Sequence, residues 1–504
     1  MKIPLPLALP FAAIVSAAAA RADVTLAPLF TDHAVLQRDQ PVPVWGTADA
    51  GESVTVNFAG QSVSTAAIAD GAWSVKLAPL SANAAGAPLT VRGKNTITLS
   101  DILVGDVWLC GGQSNMEWPL RLSNDAEAEA AAASYPLIRH IKITRRIARD
   151  PITTADGEWT VCSPKTTPDF TAIGYYFARD VYREIGVPIG LVNSNWGGTP
   201  VEAWLPPSAM TDLDIQVASA SHQAKSFTDI HNRFAGYRDE LAAWNTMRRE
   251  AEARGNPFEQ AKPTPPWTPG AENCALVLNN GMIAPLAPFA LRGVIWYQGE
   301  SNADQPETYR ELFGALIKSW RSQFNQPDLS FFWVQLANFA AGSAGGTGWA
   351  FLREAQTQTL SLPQTGQAVI YDIGEAGDIH PRNKKDVGAR LARLALARTY
   401  GREIEDSGPT FASATFDGST ARVEFNHAAG IATTDGAAPL GFEVAGSDGV
   451  FHTATARLDG RSIILTCPEV PKPLFARYVW RNHVEVNLVN GEGLPAAPFR
   501  TDRF

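Results

Sequence analysis

Sulfur and imidazole are scarce in this chain: 504 residues carry 4 cysteines, 8 histidines and 5 methionines. No Cys-x-x-Cys and no His-x-x-x-His occurs. The spacings that build zinc sites are therefore missing, and neither a metal nor another cofactor is expected. Cys110, Cys162, Cys274 and Cys467 admit three pairings, and spacing selects none of them. Positive charge is also short. The 42 Lys and Arg face 51 Asp and Glu, for a formal net charge of −9. No basic cluster is interleaved with aromatics, which argues against a nucleic-acid partner. An acidic protein is poorly attracted to an anionic membrane surface. Beyond residue 20 no uninterrupted apolar run reaches the ~18 residues that a spanning helix needs.

The exception lies at the N-terminus. Lys2 precedes a Leu/Ala/Val/Pro-rich run from Ile3 to Ala20, and Ala20-Arg21-Ala22 matches a small-x-small cleavage site. Pro4, Pro6 and Pro10 argue against a permanent anchor. Residues 1–22 read as a signal peptide, with a mature start near Asp23 and a periplasmic or secreted protein beyond it.

The length predicts several domains. Residues 23–98 alternate apolar and polar positions in short runs such as Ser53-Val54-Thr55-Val56-Asn57-Phe58, separated by turn residues. A small β-sandwich is the natural reading. Residues 99–402 change character. Apolar runs of strand length occur at 103–109, 188–193, 291–297, 330–336 and 367–373, with helical patterns between several of them. Ala172–Gly186 ends at a glycine, Pro306–Phe324 begins with a helix-starting proline, and Asn383 is placed to cap a helix carrying Val387, Leu391 and Leu394. Strands alternating with helices predict a parallel sheet covered on both faces. Residues 205–270 interrupt it with a polar helix, Asp229–Arg254, whose Phe234, Tyr237, Leu241 and Trp244 share one side. This insertion is expected to lie over the sheet, followed by a stiff connector, Pro263-Thr264-Pro265-Pro266-Trp267. Residues 403–504 return to short β runs and close the chain with a second β domain.

In an open α/β sheet, ligands bind beyond the carboxyl ends of the strands. Four polar, glycine-bearing stretches fall there: Gly111–Asn115, Asn193–Thr199, Gln298–Asn302 and Asp372–Pro381. The first runs from an apolar strand through Gly111-Gly112 into Gln113-Ser114, where a helix can begin. A hydroxyl on such a turn is accessible and has free backbone N–H groups around it, as a nucleophilic serine needs. Ser114 is thus the candidate nucleophile. His380 is the one histidine of 8 that sits in such a loop beside an acid, which makes it the candidate general base. Asp378 can orient the imidazole, with Asp372 and Glu300 as fallback acids. The Ser114 N–H, the Gly198 N–H (Gly197 as the near alternative) and the Gln298 side-chain amide are candidate oxyanion donors. Trp118 and Trp196, flanked by polar residues and glycine, suit stacking on a sugar face. Glu300, Arg353 and Glu202 are candidates for binding substrate hydroxyls.

At these residues the chain resembles the SGNH-type hydrolases, and more narrowly the sialate O-acetylesterase-like carbohydrate esterases. The matching stretches are Gly112-Gln113-Ser114-Asn115-Met116-Glu117, Asn195-Trp196-Gly197-Gly198-Thr199, Trp296-Tyr297-Gln298-Gly299-Glu300-Ser301-Asn302 and Asp378-Ile379-His380-Pro381. They span the 99–400 region in the family's order. The resemblance implies a flavodoxin-like three-layer α/β/α domain. It implies removal of O-acetyl groups from a mono-, oligo- or polysaccharide by Ser114, His380 and an acid, with a Gly and a Gln or Asn completing the oxyanion hole. The superfamily usually places the acid three residues before the histidine; that position is Gly377 here, and Asp378 stands two before. Gln298 stands where many members have Asn. No arginine presents itself as a clamp for a sialate carboxylate, so a neutral plant-type glycan is favoured over sialic acid. Two other readings differ in class: a glycosidase using Glu300 and Asp378 as paired carboxylates, which would release reducing sugar without acetate, and a non-catalytic glycan-binding protein, which a serine-ester probe would not label.

Overall fold

A single long strand, β1 (Thr96–Gly112), organises the molecule. The computed structural model describes residues 23–266, 270–342 and 345–503. The expected signal peptide, and Trp267 of the expected connector, lie outside the described residues. The first part of β1 pairs antiparallel with Asn83–Arg92 in an N-terminal β unit. Its last seven residues pair parallel with β4 (Ile189–Asn195), and the last five of them also with β5 (Gly293–Tyr297) on the other side. The boundary placed between residues 98 and 99 therefore falls inside one strand.

The central sheet is completed by β2 (Tyr135–Lys142), β3 (Trp159–Cys162), β6 (Ser330–Val334) and β7 (Thr365–Ala368), in the order β3-β2-β4-β1-β5-β6-β7. Only β3 runs antiparallel to its neighbour. Leaving out β2 and β3, the order is that of a flavodoxin-like doubly wound sheet. The chain goes from β1 to one side and returns to the other, so the switch point lies at the carboxyl end of β1, at Gly112. β2 and β3 were not among the expected strands. Pro136, Arg139, His140 and Lys142 interrupt the apolar run of β2, and no clean alternation survives.

Successive side chains point to opposite faces of a strand, and the aromatics of this sheet divide accordingly. Trp108 meets both Phe332 and Phe177 on one face, where α1 (Ala172–Ile185) packs against the last helix of the domain, Lys384–Arg398. Trp296, Phe331 and Trp333 meet Phe313 on the other. The remaining helices are α2 (Leu213–Ala253), α3 (Pro306–Gln323) and α4 (Gly348–Gln358), which makes Lys384–Arg398 α5. The helix boundaries follow the signals in the sequence. α1 ends at Gly186 with φ +65°, α3 opens on Pro306, and Asn383 accepts from the Asp386 N–H at 3.1 Å.

The insertion differs from expectation. α2 is 41 residues long, about 60 Å at 1.5 Å per residue. Only Ile215, Ala218, Ser219 and His222, in its first turns, are buried. Phe234, Tyr237, Leu241 and Trp244 stay half-buried and do not reach the sheet. Trp244 instead packs on Phe258 of the segment that follows, 5.5 Å between rings. At the C-terminal end two four-stranded antiparallel sheets enclose their own core around Val423, Phe442, Ile463 and Tyr478. All four cysteines are free thiols, and only Cys274 is exposed. Among the described residues no helix is long and apolar enough to cross a membrane.

Candidate active site

β1 ends against the backbone of β5. A Cβ on Gly112 would lie 2.1 Å from the Tyr297 carbonyl oxygen, and Gly112 has φ +135°. Only glycine allows this approach. It lets the Gln113 N–H donate to the same carbonyl at 2.9 Å and turns the chain into one helical turn, Ser114–Glu117. The Gln113 Oε1 accepts from the Gly299 and Ser301 N–H groups, each at 3.4 Å, so the first and third rim loops are tied together.

Ser114 is half-buried, with its hydroxyl 2.8 Å from His380 Nε2 although 266 residues separate them in the chain. Trp118 stacks on the imidazole at 5.0 Å and 18°. That face-to-face contact holds the ring on edge toward the serine, and it corrects the expectation that Trp118 is a sugar platform. Burial pulls the His380 pKa below its usual value, and the nearby Lys384 charge adds to this; Asp378 opposes both. The imidazole is thereby kept in its neutral, proton-accepting form near neutral pH.

Among the described residues no carboxylate makes a hydrogen bond to His380 Nδ1. Asp378 comes nearest, at 3.7 Å, and its side chain is 41% exposed. Its Oδ1 instead accepts the His380 backbone N–H at 2.8 Å, so the side chain also shapes the loop. The fallback acids are elsewhere. Asp372 forms a two-pronged pair with Arg390, both contacts 2.6 Å. Glu300 is half-buried behind the serine turn, where its Oε1 accepts from Asn115 Nδ2 at 2.6 Å. Burial pushes its carboxyl up to about 7, against the opposing pull of the backbone N–H, Asn115 and Lys384. The Glu300 carboxyl is thus held by the residue that follows the serine.

The oxyanion donors divide. Neither the Ser114 nor the Gly198 N–H donates to an acceptor among the described residues, and Gly198 takes φ +76°. Gly197 packs so closely that a Cβ on it would lie 3.1 Å from Ser114 Cβ, and its N–H is taken by Glu117 Oε2 at 3.1 Å. The Gln298 expectation is corrected. Its amide is fully buried and donates to Asn302 Oδ1 at 2.7 Å and to the Thr199 carbonyl at 3.3 Å, while its Oε1 accepts from the Tyr309 hydroxyl at 2.9 Å. Both donor hydrogens are spent on holding the loops.

The substrate-side candidates are similarly sorted. Trp196 is half-buried at the rim, with the Arg145 guanidinium 5.0 Å from its ring. Arg353 is 0% exposed, lies 4.5 Å over the Tyr371 ring and donates to the Arg481 carbonyl, so it joins α4 to the C-terminal sheets and cannot touch substrate. Glu202 is also 0% exposed and is held by Asn302 and His222. Two residues went unnoticed in the sequence. Glu117 receives the Gly197 N–H and pairs with Arg145. Lys384 is buried beneath the Trp118–His380 stack. Its signal was local: a lysine at the first position of a helix, the wrong end for a cation. Among the described residues no three His, Cys, Asp or Glu side chains converge as metal ligands do.

Comparison with known proteins agrees with this geometry. The sequence model of a carbohydrate esterase family, the sialic acid-specific acetylesterases, matches residues 104–231 and 266–397. The chain is 30% identical to the sialate O-acetylesterase of Rattus norvegicus over 425 residues, 75% of this chain and 74% of the relative. It is 28% identical to that of Homo sapiens over 421 residues, 74% of this chain and 71% of the relative. The crystal structure of a carbohydrate acetylesterase from Xanthomonas citri superposes with a TM-score of 0.82 at 39% identity, covering 95% of this chain and 100% of that one. A flavodoxin-like α/β sheet flanked by β units, with a hydroxyl and an imidazole joined at its switch point, thus coincides with a family match over more than half the chain: the protein is a carboxylic ester hydrolase belonging to the sialic acid-specific acetylesterase family of carbohydrate esterases.

Proposed function

We propose that the protein removes O-acetyl groups from sugars by a serine mechanism, with Ser114 as nucleophile and His380 as general base and acid. The observation that carries this reading is the 2.8 Å contact between Ser114 Oγ and His380 Nε2 on an accessible turn. The neutral imidazole accepts the hydroxyl proton as Oγ attacks the acetyl carbonyl carbon. The carbonyl π electrons move to oxygen, and the Ser114 and Gly198 N–H groups face the resulting charge. Collapse expels the sugar oxygen, which takes the proton back from His380, and leaves acetyl-serine. Water, deprotonated by the same imidazole, attacks the acetyl-enzyme; acetate departs and Ser114 recovers its proton. Asp378 favours the imidazolium through space.

Trp196, at the rim beside Gly197, is the platform for a pyranose face, and the favoured substrate is a neutral acetylated glycan. The apolar, small-residue-ended segment 1–22 supports export of the mature protein to the periplasm or beyond. Acetate release from acetylated xylo-oligosaccharide, pectin fragments and O-acetyl sialic acid, measured for wild type and Ser114→Ala, tests the scheme. Ser114→Ala is expected to fold and to release no acetate; full activity in that variant rejects the scheme, and release from sialic acid alone rejects the neutral glycan.

A further inference from the structure

Lys384 breaks two local rules. It occupies the first position of α5, where the helix dipole already presents partial positive charge. It is also 1% exposed, and a buried ammonium is costly unless something holds it. Violations of this kind mark functional positions.

The holding group is Asn115, the residue after the nucleophile. Lys384 Nζ donates to Asn115 Oδ1 at 2.5 Å. The Asn115 Nδ2 donates in turn to Glu300 Oε1 at 2.6 Å and to the Ile379 carbonyl at 3.0 Å. Ile379 precedes His380. One buried amide therefore joins the turn that carries the nucleophile, the loop that carries the base, the loop after β5 and the start of α5. The ammonium lies 5.5 Å from the Trp118 ring centroid, and Trp118 stacks on His380. It also lies 5.8 Å from the Tyr297 ring centroid. The charged and titratable groups that face it are Glu300 from the loop after β5, and Glu375, Asp378 and His380 from the loop before α5. Burial draws the Lys384 ammonium down to about 7, with Glu300 opposing.

We propose that Lys384 is a positioning residue for the esterase reaction: through Asn115 it locks the His380 loop onto the Ser114 turn, and its charge keeps the imidazole in the proton-accepting form. This rests on the serine-esterase reading. The sign follows from the geometry. In the acid range where His380 takes up its proton, Lys384 carries its own. A cation beside an imidazole disfavours the imidazolium. Removing that cation raises the His380 pKa, so activity is lost at a higher pH on the acid side.

The experiment measures kcat and kcat/KM against pH, with 4-nitrophenyl acetate, for wild type, Lys384→Met, Lys384→Arg and Ser114→Ala of the whole chain, each checked for folding by circular dichroism. Lys384→Met is expected to move the acid limb of kcat/KM upward by about 0.5–1 pH unit and to lower kcat by roughly tenfold. Lys384→Arg keeps the charge and is expected to leave the limb in place. Should Lys384→Met fail to fold, Lys384→Gln carries the same expectation. An unmoved limb in the neutral variant overturns the proposal, and so does an equal shift in Lys384→Arg. An inactive Ser114→Ala alongside either result overturns the Lys384 role alone, whereas an active Ser114→Ala overturns the esterase reading beneath it.

Discussion

Gln298 separates two accounts of the active site, because a donor in the oxyanion hole and a strut between loops fail differently. Gln298→Leu keeps the side-chain volume close and removes its hydrogen bonds. Three contacts disappear: the donations to Asn302 Oδ1 and to the Thr199 carbonyl, and the acceptance from Tyr309. At about 1 kcal/mol each they amount to about 3 kcal/mol. Asn302 Oδ1 keeps the Val201 N–H, and the Tyr309 hydroxyl keeps the Gln298 backbone carbonyl. The Thr199 carbonyl loses its partner in the interior, which adds about 1–2 kcal/mol. The expected loss of stability is thus about 4–5 kcal/mol, a large part of the ~5–15 kcal/mol that holds a protein folded. An oxyanion donor shows the opposite pattern: its loss costs about 10²–10³ in kcat, with little effect on stability. Urea unfolding and steady-state kinetics on one preparation distinguish the two. The structure requires a clearly lowered urea midpoint and a kcat, per folded molecule, within about tenfold of wild type. A kcat reduced by a factor of about 10³ at an unchanged midpoint would refute the strut.

Gly112→Ala forces a methyl onto the Tyr297 carbonyl in a backbone region unfavourable to alanine, and is expected to cost about 2–5 kcal/mol and to disable Ser114, read by urea unfolding and acetate release. Asp378→Asn is expected to slow kcat by about tenfold, not by the ~10⁴ of a triad acid bonded directly to its histidine, because the carboxylate is 3.7 Å from Nδ1 and 41% exposed. Asp106→Ala, at the far end of the catalytic half of β1, leaves Arg38 and Arg292 without their shared buried carboxylate and is expected to cost about 3 kcal/mol while kcat stays unchanged. Burial alone would raise the Asp106 pKa, but the hydrogen bond from Arg38 and the charges of Arg292 and Arg38 hold it below 3.8; its stabilisation is therefore present above that pH and is lost as pH falls through the lowered value, which acid titration of the unfolding free energy measures.

Much of this molecule is legible along the chain. The strand–Gly111-Gly112–Ser114 turn, four of the five expected strands, the capped ends of α1, α3 and α5, and the pairing of Ser114 with His380 all follow from periodicity, turn chemistry and the loop in which each residue sits. These are local properties: an apolar run of strand length, or a glycine before a helix, carries its meaning within a few residues. β7 is found two residues ahead of its expected start and stops at Ala368, because Tyr371–Ile373 turns into a short 3-10 helix.

What the chain does not disclose is where a side chain points once remote segments meet. Gln298, Arg353 and Glu202 looked available for chemistry, and packing turned each of them inward to satisfy buried polar groups. Trp118 looked like a sugar platform and became the support for an imidazole. Lys384 draws no notice in the sequence, yet it is held under the active site by an asparagine 269 residues away. The hydrophobic pattern determines which elements form and roughly in what order they stack. The direction of an amide or the partner of a carboxylate is decided by desolvation: a polar group taken from water must find its mate among whatever the folded chain brings near, and that neighbourhood exists only in three dimensions.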